Sequence, residues 1–91
     1  MRITEIADLL HLELQVEGTC FPSQNYRVSW TAQFKDVEIK NGQILTSCYG
    51  SGSTPRAAIT SYIKEITGKQ LVHNANCHLR KMFKVPAGTK P

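Results

Sequence analysis

From Tyr26 to Lys35 the chain alternates strictly, with Tyr26, Val28, Trp30, Ala32 and Phe34 on one parity and Arg27, Ser29, Thr31, Gln33 and Lys35 on the other. A period of two puts each set on one face of a β-strand, so the segment predicts a strand with an aromatic inner face and a polar outer face. Val37 and Ile39 carry the apolar positions onto the opposite parity, and a bulge or bend is expected near Lys35 and Asp36. Upstream, Ile3, Ile6, Ala7 and Leu10 recur at helical spacing and predict a short opening helix over 1–10. Leu10, Leu12, Leu14 and Val16 then alternate with His11, Glu13, Gln15 and Glu17. That pattern predicts a first strand ending at Gly18, followed by a loop over 19–25.

Asn41-Gly42 is a hairpin signal, because both residues tolerate positive φ, and Ile44 to Tyr49 reads as the returning strand. Gly50-Ser51-Gly52-Ser53 reads as a turn. The element after it is the best specified in the chain. Thr54 suits an N-cap, Pro55 the first helical position, and Gly68 the end, while Ala58, Ile59, Tyr62, Ile63 and Ile66 form one apolar stripe. Leu71 and Val72 start a short strand, 73–79 forms a loop, and Met82, Phe83 and Val85 form a last strand before Pro86. The tail over 86–91 is expected to fray.

The order is α-β-β-β-α(-β). It predicts an α+β fold in a single small domain spanning 1–91, with a three-stranded antiparallel sheet over 10–49 and a main helix over 54–67 packed on one face. Short strands and a loop follow over 70–85. The aromatic face of Tyr26, Trp30 and Phe34 is assigned to the core, because the stripe of Ile59, Tyr62, Ile63 and Ile66 needs such a surface to bury itself against. Arg27, Ser29, Thr31, Gln33 and Lys35 then form an exposed sheet face suited to polar contacts, or to cover by a twofold mate in a homodimer.

Charge changes this picture at the two ends. Residues 1–17 carry Glu5, Asp8, Glu13 and Glu17 against Arg2 alone, whereas after Glu65 no acid follows and Lys69, Arg80, Lys81, Lys84 and Lys90 do. A purely basic last quarter predicts an acidic partner, with Lys69, Arg80, Lys81 and Lys84 as the contact set for nucleic acid or an acidic protein. The N-terminal pattern does not read as a signal peptide, and no stretch approaches the length of a membrane span. The odd cysteine count, Cys20, Cys48 and Cys77, fits reduced thiols. Together these predict a cytoplasmic location and no membrane partner.

The run from Trp30 to Ile66, in which a hairpin at Asn41-Gly42 leads into Gly50-Ser51-Gly52-Ser53-Thr54-Pro55 and a helix starting Arg56-Ala57-Ala58-Ile59, resembles HicB-type antitoxins. Its topology also resembles the double-stranded-RNA-binding domain, although Ser53, Thr54, Pro55 and Arg56 stand where that family carries a lysine cluster. From Tyr49 to Val72, with Gly50, Gly52, Thr54-Pro55, Ala58-Ile59, Tyr62, Ile66, Gly68-Lys69 and Leu71-Val72, the chain is similar to small proteins encoded by phages and prophages of Gram-positive bacteria. This last resemblance implies an accessory protein in the cytoplasm of a bacterial host that modulates or inhibits a host macromolecule, for example in counter-defence. A host protein is the expected partner and nucleic acid the alternative. The first resemblance implies an antitoxin.

Chemistry in the sequence is sparse. Ser51, Gly52, Ser53 and Arg56 frame a glycine-serine turn at a helix start, a place where free N–H groups and a positive dipole end can hold an anion. His73, Cys77 and His78 cluster in sequence but lack a metal-finger spacing, and His11, Cys20 and Cys48 stand apart, so no metal or other cofactor is expected. Cys77 and His78 are neighbours whose side chains diverge on a strand, and Asp36 and Glu38 mark the solvent side of a hairpin arm. No catalytic set emerges, and a non-enzymatic role is expected.

Overall fold

The structure, a computed structural model, describes residues 1–21, 27–41, 43–73 and 81–91, with backbone alone at Phe21, Arg27, Asn41 and Lys81. The fold is α+β. Its elements are α1 (Ile3–Leu10), β1 (Leu14–Phe21), β2 (Arg27–Phe34), β3 (Val37–Asn41), β4 (Ile44–Thr46), β5 (Gly50–Gly52), α2 (Pro55–Ile66), β6 (Gln70–His73) and β7 (Lys81–Lys84). Among the described residues, the strands named here pair antiparallel throughout.

The expected single sheet over 10–49 is in fact split. One sheet has the order β1-β2-β5, the other β4-β3-β6-β7. The split falls where the parity of apolar residues changes: Asp36 takes a left-handed φ of 58°, a conformation Asp tolerates better than most residues. There the chain leaves the first sheet, and Val37 and Ile39 begin the second. The β3–β4 hairpin pairs Asn41 with Ile44, so Asn41 belongs to the strand and not to the turn that the Asn-Gly signal suggests. Gly42 itself lies outside the described residues.

Three glycines expected to end a strand or to form a turn lie inside strands. β1 runs through Gly18 because Gly18 sits opposite Trp30 in register, and a Cβ there would lie 3.1 Å from the indole ring. The glycine makes room for an aromatic ring and does not end the strand. Gly50-Ser51-Gly52 is likewise a strand and not a turn. Its glycines pair with Ala32 and Trp30 on the face that α2 covers, and a Cβ on Gly50 would lie 2.1 Å from the Tyr62 amide nitrogen. The helix crosses its own preceding strand at backbone contact distance, which only glycine permits.

α2 lies over β5 and β2. Its inner residues Ala58, Tyr62, Ile63 and Ile66 are buried with Ala32 and Phe34 of β2, and Trp30 packs half-buried at the margin. Ile3 and Ile6 of α1 join the same core, as do Val37, Ile39, Leu71 and Val85 from the second sheet and its margin. Leu10 closes α1 and does not open a strand; His11 caps that helix in the left-handed region at φ 54°.

The C-terminal tail does not fray. Lys90 forms a bridge with Arg2, accepts a bond from the Ile3 amide at 2.8 Å and donates to the Met1 carbonyl at 2.9 Å. Thr89 is buried and its hydroxyl donates to the Pro86 carbonyl. The predicted loop over 73–79 begins one residue late, since His73 belongs to β6; residues 74–80 lie outside the described residues.

Candidate anion-binding face of the second helix

The N-terminus of α2 is closed by local bonding. Thr54 sits extended, and its hydroxyl oxygen accepts from the Ala57 amide at 3.1 Å while its carbonyl accepts from Ala58 at 3.0 Å. Pro55 has no amide hydrogen. Gly52 pairs with Trp30 in the sheet, and Ser51 lies on the outer side of β5. Of the expected set Ser51, Gly52, Ser53 and Arg56, only Arg56 therefore stands on the helix proper, and its backbone amide has no acceptor among the described residues.

The outer face of α2 gathers more. Arg56, Thr60 and Lys64 recur every four residues and so share one stripe, with Ala57 and Ser61 beside them. With Thr54 these residues line a shallow open groove. Arg56 and Lys64 are exposed and lie about 12 Å apart along the axis, two helical turns. The Thr60 hydroxyl donates to the Arg56 carbonyl at 2.9 Å, so that oxygen is left as an acceptor. No carboxylate is on this stripe. Glu65, the one acid of the helix, points to the flank where it and Lys69 act on Cys48. Burial pushes the Cys48 thiol up, Glu65 adds to that, and Lys69 offsets part of it.

Of the basic set expected from the sequence, Lys69 and Lys84 have described side chains, and the two stand in different surroundings. Lys69 is half-buried on the Cys48 flank. Lys84 stands opposite Gln70, which stands opposite Lys40, so the three share a row across β7, β6 and β3. Lys40 and Lys84 are both exposed and sit about 10 Å apart across two strand spacings. Lys81 pairs by backbone with His73, and Arg80 lies outside the described residues. Lys40 and Lys64 went unnoticed in the sequence because each sits among neutral or acidic neighbours; only the register and the helical stripe bring them to other cations.

The polar face of the first sheet carries Ser29 and Thr31, both half-buried, and Gln33, which is exposed, with Lys35 exposed just past the strand end. Register adds Gln15, Glu17 and Thr19 from β1 and Ser51 from β5. The backbone of Arg27 lies in β2; its side chain is outside the described set. Among the described residues no group of three or more His, Cys, Asp or Glu side chains is placed to hold a metal ion, and Cys77 and His78 lie outside them. His73 Nδ1 is buried with no hydrogen-bond partner among the described residues. Among these residues no helix is long and apolar enough to cross a membrane. Comparison with protein families, with curated proteins and with solved structures finds no match for this chain.

Proposed function

We propose that this chain is a non-catalytic binding protein that docks onto an acidic surface of another protein through the outer face of α2. The observation that carries the reading is the Arg56–Thr60–Lys64 stripe, two exposed cations flanking small and hydroxyl side chains with no acid on the same face. Duplex DNA presents a phosphate on each strand about every 3.4 Å along its axis, so two cations about 12 Å apart are sparse against it. They match a pair of carboxylates on a protein, with Ala57 and Ser61 leaving room for a side chain between. The raised Cys48 thiol runs opposite to the activation that a nucleophile requires, which favours binding over catalysis.

The resemblance of residues 49–72 to phage and prophage proteins makes a bacterial host protein the partner class, bound in order to modulate or inhibit it in the cytoplasm. A toxin encoded beside this gene is the partner on the antitoxin reading. A second reading, nucleic-acid binding, rests on the row Lys40–Gln70–Lys84 across the second sheet.

A photo-crosslinking residue placed at Thr60 tests the reading in host lysate. We expect one protein to be captured, and capture to be lost when Arg56 and Lys64 are both changed to Glu. Capture that survives the double change overturns the α2 docking site. A nucleic-acid affinity that falls steeply with salt and drops in Lys40→Ala/Lys84→Ala, with nothing captured at Thr60, replaces it with the second reading.

A further inference from the structure

β1 is the outer strand of its sheet. The Lys35 amide donates to the Glu13 carbonyl, so in this antiparallel ladder the odd-numbered residues of β1 bond to β2 and the even ones, Val16, Gly18 and Cys20, aim their N–H and C=O groups outward. Among the described residues no backbone group meets them, and Glu17, Gly18, Thr19 and Cys20 are all exposed. Neither Lys nor Pro guards this strand, although long edges are commonly protected by one or the other.

We propose that this edge is a self-association surface, on which β1 of a second copy pairs antiparallel about a twofold axis at Gly18. Outward groups must meet outward groups, so a symmetric pairing is centred on either Glu17 or Gly18 within the middle of the strand. Centring on Glu17 sets two carboxylates directly opposite each other, which is repulsive. Centring on Gly18 sets Glu17 opposite the Thr19 hydroxyl of the second copy, twice, and Val16 opposite Cys20.

The same register explains Gly18. With no side chain there, the Trp30 ring reaches across β1 toward the edge, and the two indoles of the pair approach each other over the glycines. Val28, 44% exposed on the same face, lies in the next row. About six backbone hydrogen bonds and this apolar strip form one continuous sheet of six strands. An unrelated peptide needs none of this self-complementarity, which is why a second copy is the occupant.

The test uses the whole chain. Sedimentation between roughly 1 µM and 1 mM should show a monomer–dimer equilibrium, and emission of the single tryptophan, Trp30, should shift to the blue as dimer forms. Thr19→Glu should weaken the dimer and Thr19→Lys tighten it, each by about tenfold, because position 19 faces Glu17 twice in the pair. In a background with Cys20, Cys48 and Cys77 changed to Ser, Glu17→Cys should form a disulfide when mixed with Thr19→Cys and not with itself. A chain that stays monomeric over the whole range, or Glu17→Cys that links to itself in preference, overturns the proposal. A folded monomer verified by circular dichroism in the Ser background, with a dimer in the native background, also overturns it, since the contact would then be a cysteine link and not a strand pair.

Discussion

Changing Tyr62 to Phe removes a single oxygen, and the structure gives that oxygen one task. In β2 the even-numbered amides point away from β1 toward β5, but β5 stops at Gly50, opposite Ala32. The next such amide, that of Phe34, meets no strand among the described residues. It donates instead to the Tyr62 hydroxyl at 3.2 Å, in a place where Phe34 is 2% and Tyr62 1% exposed. The edge-on ring contact between the two, 5.8 Å between centroids at 74°, needs no hydroxyl and survives the change. What is lost is the acceptor for a buried amide, a cost of about 1–3 kcal/mol. Relief from burying the hydroxyl itself offsets part of this and places the expected loss at about 1–2 kcal/mol. For a domain of this size that lowers Tm by about 4–16 °C.

The same contact sets an alkaline signature. Burial pushes the Tyr62 phenol from 10.0 up to about 12, with the Phe34 amide offsetting part of the rise and the nearby Cys48 adding to it. The folded chain therefore keeps its phenolic proton at a pH where the unfolded chain has released it. The stability tied to this group is complete below pH 10 and is lost as pH rises from 10 through about 12, at most about 1.4 kcal/mol per pH unit. Urea unfolding of wild type and Tyr62→Phe at a series of pH values isolates it by difference, and amide exchange at Phe34 reports the bond directly. A variant within about 0.5 kcal/mol of wild type near neutral pH, with unchanged exchange at Phe34 and the same alkaline slope, would refute the reasoning.

Two glycine variants should separate crowding from backbone strain. Gly50→Ala drives a Cβ into the α2 backbone and should cost about 3 kcal/mol or more, whereas Gly68→Ala, at φ 77° with nothing within 4 Å, should cost about 1–2 kcal/mol; equal urea midpoints would contradict the crossing of α2 over β5. At Asp36, Gly should be tolerated and Val should cost about 1–3 kcal/mol, read in the same assay; a tolerated Val would mean that the left-handed link between the sheets is not required. Thr54→Ala should cost about 1 kcal/mol by removing the acceptor of the Ala57 amide, with Thr54→Ser retaining most of it. A loss equal in both variants would place the effect outside the cap.

Elements with an internal signal were legible in the sequence, and those defined by a neighbour were not. α2 carries its own cap, proline and stripe, and β2 its own alternation, so both were readable within a residue or two. Gly18 and Gly50-Ser51-Gly52 gave the opposite result. A glycine reads locally as a stop or a turn, yet here each is a strand position flattened for something lying across it, Trp30 in one case and α2 in the other. The parity change at Asp36 was visible, but a bulge and a departure into a second sheet begin with the same residues. The strands that make the difference, β6 and β7, come more than thirty residues later. The C-terminal tail looked unattached because its anchor, Arg2, lies at the other end of the chain.

Binding surfaces show the same limit, and they also show where the fold stops accounting for the sequence. Along the inner face of β2, burial weakens stepwise from Phe34 and Ala32, which are closed off by α2, to half-buried Trp30 and then to Val28 at 44% exposed. A core alone does not need an aromatic and a valine beyond the margin of its helix, and a strand edge with outward amides beside them does not help a monomer stay soluble. Pairing of β1 about Gly18 covers these groups together. It does so in the plane of the sheet, while Arg56, Thr60 and Lys64 point away from it on the far side of α2. The two surfaces are therefore independent, and a Thr19→Glu monomer should still be captured at Thr60 through the helix face, losing only the second binding site that the pair would supply.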